Sequence, residues 1–366
     1  MEKLRARIRI PSRLVNIVLL AAGLGLAALL VVDSPLAMQG AREGLSLCGQ
    51  VIIPSLYPFF VLGGLFVQSG GARRRENGPA RRLLWALIRQ PPAALGAVLL
   101  GLLGGYPMGA KTAAQLMERG LLTRGQAQRL QMFSVNAGPA YLIGAIGSGL
   151  VGSRGAGLIL FASMTAASLF MGLCTRFLSN GKEEAIPPPL APAARLEGFD
   201  QRLLTAVSQA TKSVLGVCAW IVLFSTLCAL LRRLPVSTWA AIPVLNVFLE
   251  VSSGAAAVIR TDMALPVLCA ALGWGGLSVH CQVLGDIRKT GLPLQIFWTT
   301  RLLHGALAAA LCVQLLRWFP VNLPAAAVNG MHPGVRLWAV SAPAAAALLF
   351  FCAFLILDLD LNRKVC

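Results

Sequence analysis

The chain repeatedly interrupts its own membrane-grade hydrophobic runs. Ala93 to Leu103 is apolar enough for a bilayer, and Gly104-Gly105-Tyr106-Pro107 then stops it. A second stop, Asn136-Ala137-Gly138-Pro139, stands directly before the apolar run Ala140 to Val151. Within hydrocarbon an unpaired backbone group is so costly that irregular backbone survives only against protein or a water-filled cavity. The breaks are therefore expected to face protein or a cavity, and the sequence does not say whether they meet in space. Polar residues follow the breaks: Lys111 and Gln115 among small residues, then a charged segment.

Composition agrees. Of 366 residues 57% are hydrophobic and 13% charged, and the mean hydropathy is +0.72, too little charge to cover a soluble surface of this length. The net charge of +18 sits largely in clusters beside apolar runs: Lys3, Arg5, Arg7, Arg9 and Arg13 before the first, and Arg73, Arg74, Arg75, Arg81 and Arg82 after the second. Such clusters set orientation, and both belong on the cytosolic side, with the N-terminus. No basic domain with interleaved aromatics points to nucleic acid. The nine cysteines are scattered, without a CxxC pair, so neither a disulfide framework nor a zinc site is expected.

Leu14 to Val32 reads as a first span. Leu45 to Val67 reads as a second, kinked or broken by Pro54 and Pro58. Thr112 to Gln131 is too polar to span and reads as an interfacial helix or a hairpin pair. Gly155 to Leu178, Leu203 to Leu231, Trp239 to Val258, Met263 to Leu277, Leu294 to Leu316 and Leu337 to Leu357 complete the apolar runs. The expected fold is all-α: a polytopic membrane protein of about eight spans plus re-entrant or broken helices. Residues 1–178 form a first membrane half and 203–366 a second, joined by the polar, proline-rich linker 179–202.

The halves carry a weak internal repeat. At an offset of 171 residues Gly104 and Gly105 fall on Gly275 and Gly276, Gly120 on Gly291, Lys111 on Gln282 and Glu118 on Lys289. Paired interrupted segments in two halves are the best sequence pointer to a transporter site, because half-helix starts present free amides to a cavity.

GLLGGYPMGAK, ERGLLT and NAGPAYLIGAIGSGL, with FLEVSSG, LGWGGLSVHCQV and the RLLHG beginning at Arg301, resemble the YlbJ family of sporulation integral membrane proteins, within the wider nucleoside-recognition or Gate-domain group. The resemblance covers nearly the whole chain. It implies a transporter-like protein of endospore formation that carries dipicolinic acid across the outer forespore membrane, with halves similar to those of concentrative nucleoside transporters. Ala325 to Ala346 matches none of its motifs.

Chemistry selects the candidate residues. Lys111 and Arg301 could neutralise carboxylates, and Ser134, Asn136, Ser278 and Gln282 could hydrogen-bond a solute. Glu250, inside an apolar run, and His280 could carry a coupling ion or proton. Gly104, Gly105, Pro107, Gly138, Pro139, Gly275 and Gly276 make the breaks. The alternatives at each are snorkelling, capping or structural roles. No nucleophile-base pair, metal cluster or phosphate loop appears, so neither an enzyme nor a cofactor is expected. The reading is a transporter or facilitator of a small anionic solute. The rivals are a nucleoside or cation transporter of the same architecture and a non-transporting sporulation scaffold. The partners expected are the solute and the lipid bilayer, with homo-oligomerisation left open and nucleic acid excluded.

Overall fold

A computed structural model describes residues 12–68, 86–178, 198–231, 241–260 and 265–321. The basic clusters before residue 12 and within 69–85, most of the linker and the run Leu337 to Leu357 lie outside the described residues. The rest is helical, without a strand among the described residues. In chain order the helices are α1 (Ser12–Val32), α2 (Ser34–Leu47), α3 (Ile53–Gln68), α4 (Ala94–Leu103), α5 (Tyr106–Glu118), α6 (Arg124–Phe133), α7 (Arg154–Thr175), α8 (Phe199–Leu231), α9 (Ala241–Leu249), α10 (Val251–Arg260), α11 (Leu265–Trp274), α12 (Gly276–Thr290) and α13 (Leu294–Trp318). Wide π-type turns occupy Cys48–Ile52 and Ala140–Val151. Five stretches are long and apolar enough to cross a membrane: Ser34–Gln68, Arg154–Leu178, Phe199–Leu231, Leu265–Thr290 and Leu294–Trp318. Shorter apolar helices lie at Gly23–Val32, Ala94–Leu103 and Ala140–Val151.

Two expectations change, and a third, left between two forms, is decided. The second span is not broken at its prolines. The π-type turn Cys48–Ile52 widens the helix just ahead of Pro54, where a proline ring would strike the carbonyl one turn back, and the rod continues through Pro58 to Gln68. The apolar run around Glu250 is broken instead, since α9 ends at Leu249 and α10 begins at Val251. The polar segment after residue 112 is a packed hairpin and not an interfacial helix. Thr123 and Gln126 form a reciprocal capping box that starts α6 (2.9 and 3.2 Å), and nearly all of α5 from Tyr106 to Leu116 is buried.

The backbone agrees with the offset of 171 at two of its three glycine pairs. Gly105 and Gly276 both have positive φ (87° and 75°), as do Gly120 and Gly291 (69° and 70°), a region that favours glycine. Gly104 (φ −90°) and Gly275 (φ 85°) differ. One pair at equivalent places also touches: Lys289 Nζ lies 3.0 Å from Glu118 Oε1, 171 residues away.

The rod α2–α3 runs antiparallel to α8. A methyl placed on Gly40 would fall 2.7 Å from Ala229 Cβ, and one on Gly64 3.1 Å from Ala206 Cβ. Both stretches are long and apolar enough to cross a membrane.

The helices that follow the two glycine breaks, α5 and α12, run side by side. Tyr106 Oη donates to Leu272 O (2.7 Å) where they start, and the Glu118–Lys289 pair joins their far ends. Helix α6 clamps them through Gln131, wholly buried, which donates to Ala110 O (3.2 Å) and Asp286 O (3.1 Å) and accepts from Thr290 Oγ1 (2.5 Å). Polarity that forbids spanning thus serves to join the halves. The ion pair itself is about half exposed (51% and 47%), so Lys289→Ala is expected to shift stability by less than about 1 kcal/mol. Thermal unfolding in detergent checks this, and a larger loss would make the pair a principal clasp.

Candidate functional site

Four chain breaks converge. A Cβ on Gly138 would meet Leu103 O at 2.8 Å and Gly105 N at 3.1 Å, so the two breaks of the first half abut. A Cβ on Gly275 would lie 3.5 Å from Tyr106 Cε1, and one on Gly276 3.1 Å from Glu250 Cα. Two tyrosines stitch the breaks together. Tyr106 reaches Leu272 O, and Tyr141, just after Pro139, shares a 3.0 Å hydrogen bond with Ser252, just after Glu250.

A cavity of about 430 Å³ opens at this junction, lined by Gly105, Tyr106, Pro107, Gly138, Tyr141, Glu250, Ser252 and Gln282, with apolar residues of α3 and α8 completing the wall. Only about 30 Å³ of it admits the centre of a water molecule, room for roughly two waters at ~10–15 Å³ each. The starts of α5 and α10 both contribute to the wall, and helix starts carry partial positive charge and unsatisfied amides. Gly105, Pro107, Gly138, Glu250 and Gln282 were all expected here from sequence. Glu250 is completely buried.

Beside the cavity lies a second group. Arg301, 1% exposed, is the largest fully buried side chain among the described residues. It reaches from α13 into the break of the first half and donates from one terminal nitrogen to Val135 O. Its Nε and other terminal nitrogen find no hydrogen-bond partner among the described residues. Tyr106, in the cavity wall, lies within the electrostatic reach of both Arg301 and Glu250.

Ser134 and Asn136 flank Val135 and are buried. Asn136 donates to Phe133 O (2.9 Å) and Ser168 Oγ (3.0 Å), and its own Oδ1 and Ser134 Oγ are unmatched. Ser278 Oγ and His280 Nε2 are likewise buried and unmatched. The His280 ring contacts Trp274 (4.3 Å between centroids) and Phe297 (5.2 Å), with Nδ1 2.7 Å from Gly276 O. Arginine and amide groups without a full set of partners are rare in protein interiors, because each costs desolvation energy.

Lys111 stands apart. Its ammonium donates to Ser213 Oγ and lies 5.4 Å from the Phe60 ring centroid. It lines a separate space of about 240 Å³ with Thr112, Gln115 and Gln209. The structure therefore does not put Lys111 and Arg301 in one cavity wall. Gly104, Pro139, Gly275 and Gly276 form the breaks without lining the cavity.

Sequence reasoning missed Tyr106, Tyr141, Ser252 and Gln131. Tyr106 was findable, since it sits between the break glycines and Pro107. The other three carry no local signal.

The fold and its interior define a polytopic, all-helical integral membrane protein. No family model and no solved structure matches the chain. The sporulation integral membrane protein YlbJ of Bacillus subtilis is 28% identical over 346 residues, with 84% of this chain and 84% of that protein covered. The likeness runs along most of both chains, and that relative is itself named as an integral membrane protein of sporulation.

Proposed function

We propose that the protein is a transporter or facilitator for a small anionic solute, that the solute is dipicolinate, and that it acts in the outer forespore membrane with its N-terminus in the cytosol. The observation that carries the reading is the buried guanidinium of Arg301, with two donor nitrogens unmatched, beside a cavity where four chain breaks meet. A guanidinium fork is matched to a carboxylate, and helix starts add positive potential in the same place. Ser134, Asn136 and Ser278 hold unmatched polar atoms suited to the rest of a polar solute. Lys111, in its own space, fits an approach station better than a second clamp.

The cavity is too narrow for an aromatic dicarboxylate in this conformation, so admission requires the Tyr106 or Tyr141 contacts to open. A Gate-domain ancestry, with halves like those of nucleoside transporters, agrees with the paired breaks. Transport is positioning and charge compensation, and the reading assigns no catalysis and no cofactor.

Vesicles containing the purified protein are expected to take up labelled dipicolinate and to ignore uridine and adenosine. Uptake of the nucleosides without dipicolinate would favour the nucleoside reading. A protein that moves none of them, yet is required for sporulation through truncation-sensitive contacts, would be a scaffold.

A further inference from the structure

We propose that Glu250 carries a proton that crosses with the anion, making the central cavity a proton-coupled anion symporter. The proposal rests on the anion-transport reading and adds its driving force. Glu250 is fully buried, forms part of the cavity wall, and sits at the break between α9 and α10. Its backbone N–H is held by Asn246 O and its carbonyl by Gly254 N (2.8 Å each), and Gly276 packs against its Cα. The carboxyl thus hangs from a held backbone where the chain breaks meet.

The electrostatic argument is one of sign. A carboxylate and an anionic solute sharing this mostly apolar cavity once it has opened repel strongly, because the interior screens poorly. Protonating Glu250 removes the repulsion, so proton and solute each raise the other's affinity by the same factor.

The groups around Glu250 do not substitute for it. Tyr141 comes from the wide-turn helix, Tyr106 from α5 and Cys48 from the turn after α2, all neutral at ordinary pH. Helix α12 brings Gln282 and His280, the latter enclosed by Trp274 and Phe297. Among the described residues Arg301 on α13 brings positive charge here, its field reaching Tyr106, and it stays charged throughout. No bond other than that of the proton to a Glu250 oxygen forms or breaks. The proton is taken from water on the side where the solute binds and returned to water on the other.

The test uses the whole protein in vesicles with the membrane potential clamped by potassium and valinomycin. With the outside one pH unit more acidic, wild type is expected to accumulate dipicolinate up to about tenfold over equilibrium for one proton per solute. Glu250→Gln, which mimics the protonated acid, is expected to keep dipicolinate exchange at equal pH and to lose accumulation, while Glu250→Asp keeps some. Wild type that exchanges dipicolinate but never accumulates it, or Glu250→Gln that still accumulates it, overturns the coupling and leaves transport standing. Wild type that neither exchanges nor takes up dipicolinate overturns the transport reading and the coupling with it.

Discussion

Arg301→Met is expected to abolish dipicolinate uptake while leaving the thermal midpoint in detergent unchanged or raised. Two unmatched donors that close on a carboxylate are worth about 1.5–3 kcal/mol each, so their loss weakens solute binding by at least about 100-fold. Stability moves the other way. A buried charge carries a desolvation cost of several kcal/mol that the single bond to Val135 O does not repay. Methionine fills the space without the charge, at the cost of that bond, about 1–3 kcal/mol. A structural anchor would behave oppositely, and a fall of the midpoint together with uptake would show that Arg301 holds the break segment in place. Arg301→Lys separates the contributions further. It keeps the charge but not the fork, and is expected to retain folding with roughly tenfold weaker binding.

How much of this was legible depends on what each feature requires of its residues. The glycine breaks were readable because positive φ leaves almost no other choice of residue, and Gly105, Gly120, Gly276 and Gly291 all have it. That is why the offset of 171 is legible at these four glycines. The break at Glu250 was not readable. Phe-Leu-Glu-Val contains no glycine or proline, and the glycine at which α10 folds back on α9, Gly254 against Val247, stands four residues past the break. The prolines of α3 misled for the converse reason, since the wide turn that absorbs them leaves no mark in composition.

Within the site, charge in an apolar run located Glu250 and Arg301, because either is costly there unless the fold has a use for it. The same rule overreached at Lys111, whose small neighbours say nothing about which way its long chain turns. It turns to Ser213 on α8. Ser134 and Asn136 were picked for standing beside a break and are buried next to the Arg301 contact at Val135. Tyr141 and Ser252 meet from 111 residues apart, a relation no local pattern encodes.

Gly273→Ala is expected to cost on the order of 3 kcal/mol, the upper range for overpacking a well-packed interior, and to reduce uptake along with stability. A Cβ on Gly273 would lie 2.4 Å from Gly305 Cα and 2.9 Å from Gly305 N, and one on Gly305 2.7 Å from Ala270 O. The obstacles are backbone, so no rotamer change relieves them, and α11 and α13 must separate. Inside a bilayer lipid tails are as apolar as the side chains, so close backbone approach between small residues is itself a main source of helix association. Separation would also pull on the fully buried His304, whose Nε2 lies 3.1 Å from Met164 O and Nδ1 3.4 Å from Gly273 O, and on Arg301 one turn earlier. Gly305→Ala should behave in the same way. Gly285→Ala supplies the control, because a Cβ there meets nothing within 4 Å and alanine is favoured over glycine in a helix by about 1 kcal/mol. Thermal midpoints of the three variants in one detergent decide the matter. A Gly273→Ala protein as stable as wild type would mean that α11 and α13 do not touch there, and that the position of Arg301 is set by something other than this crossing.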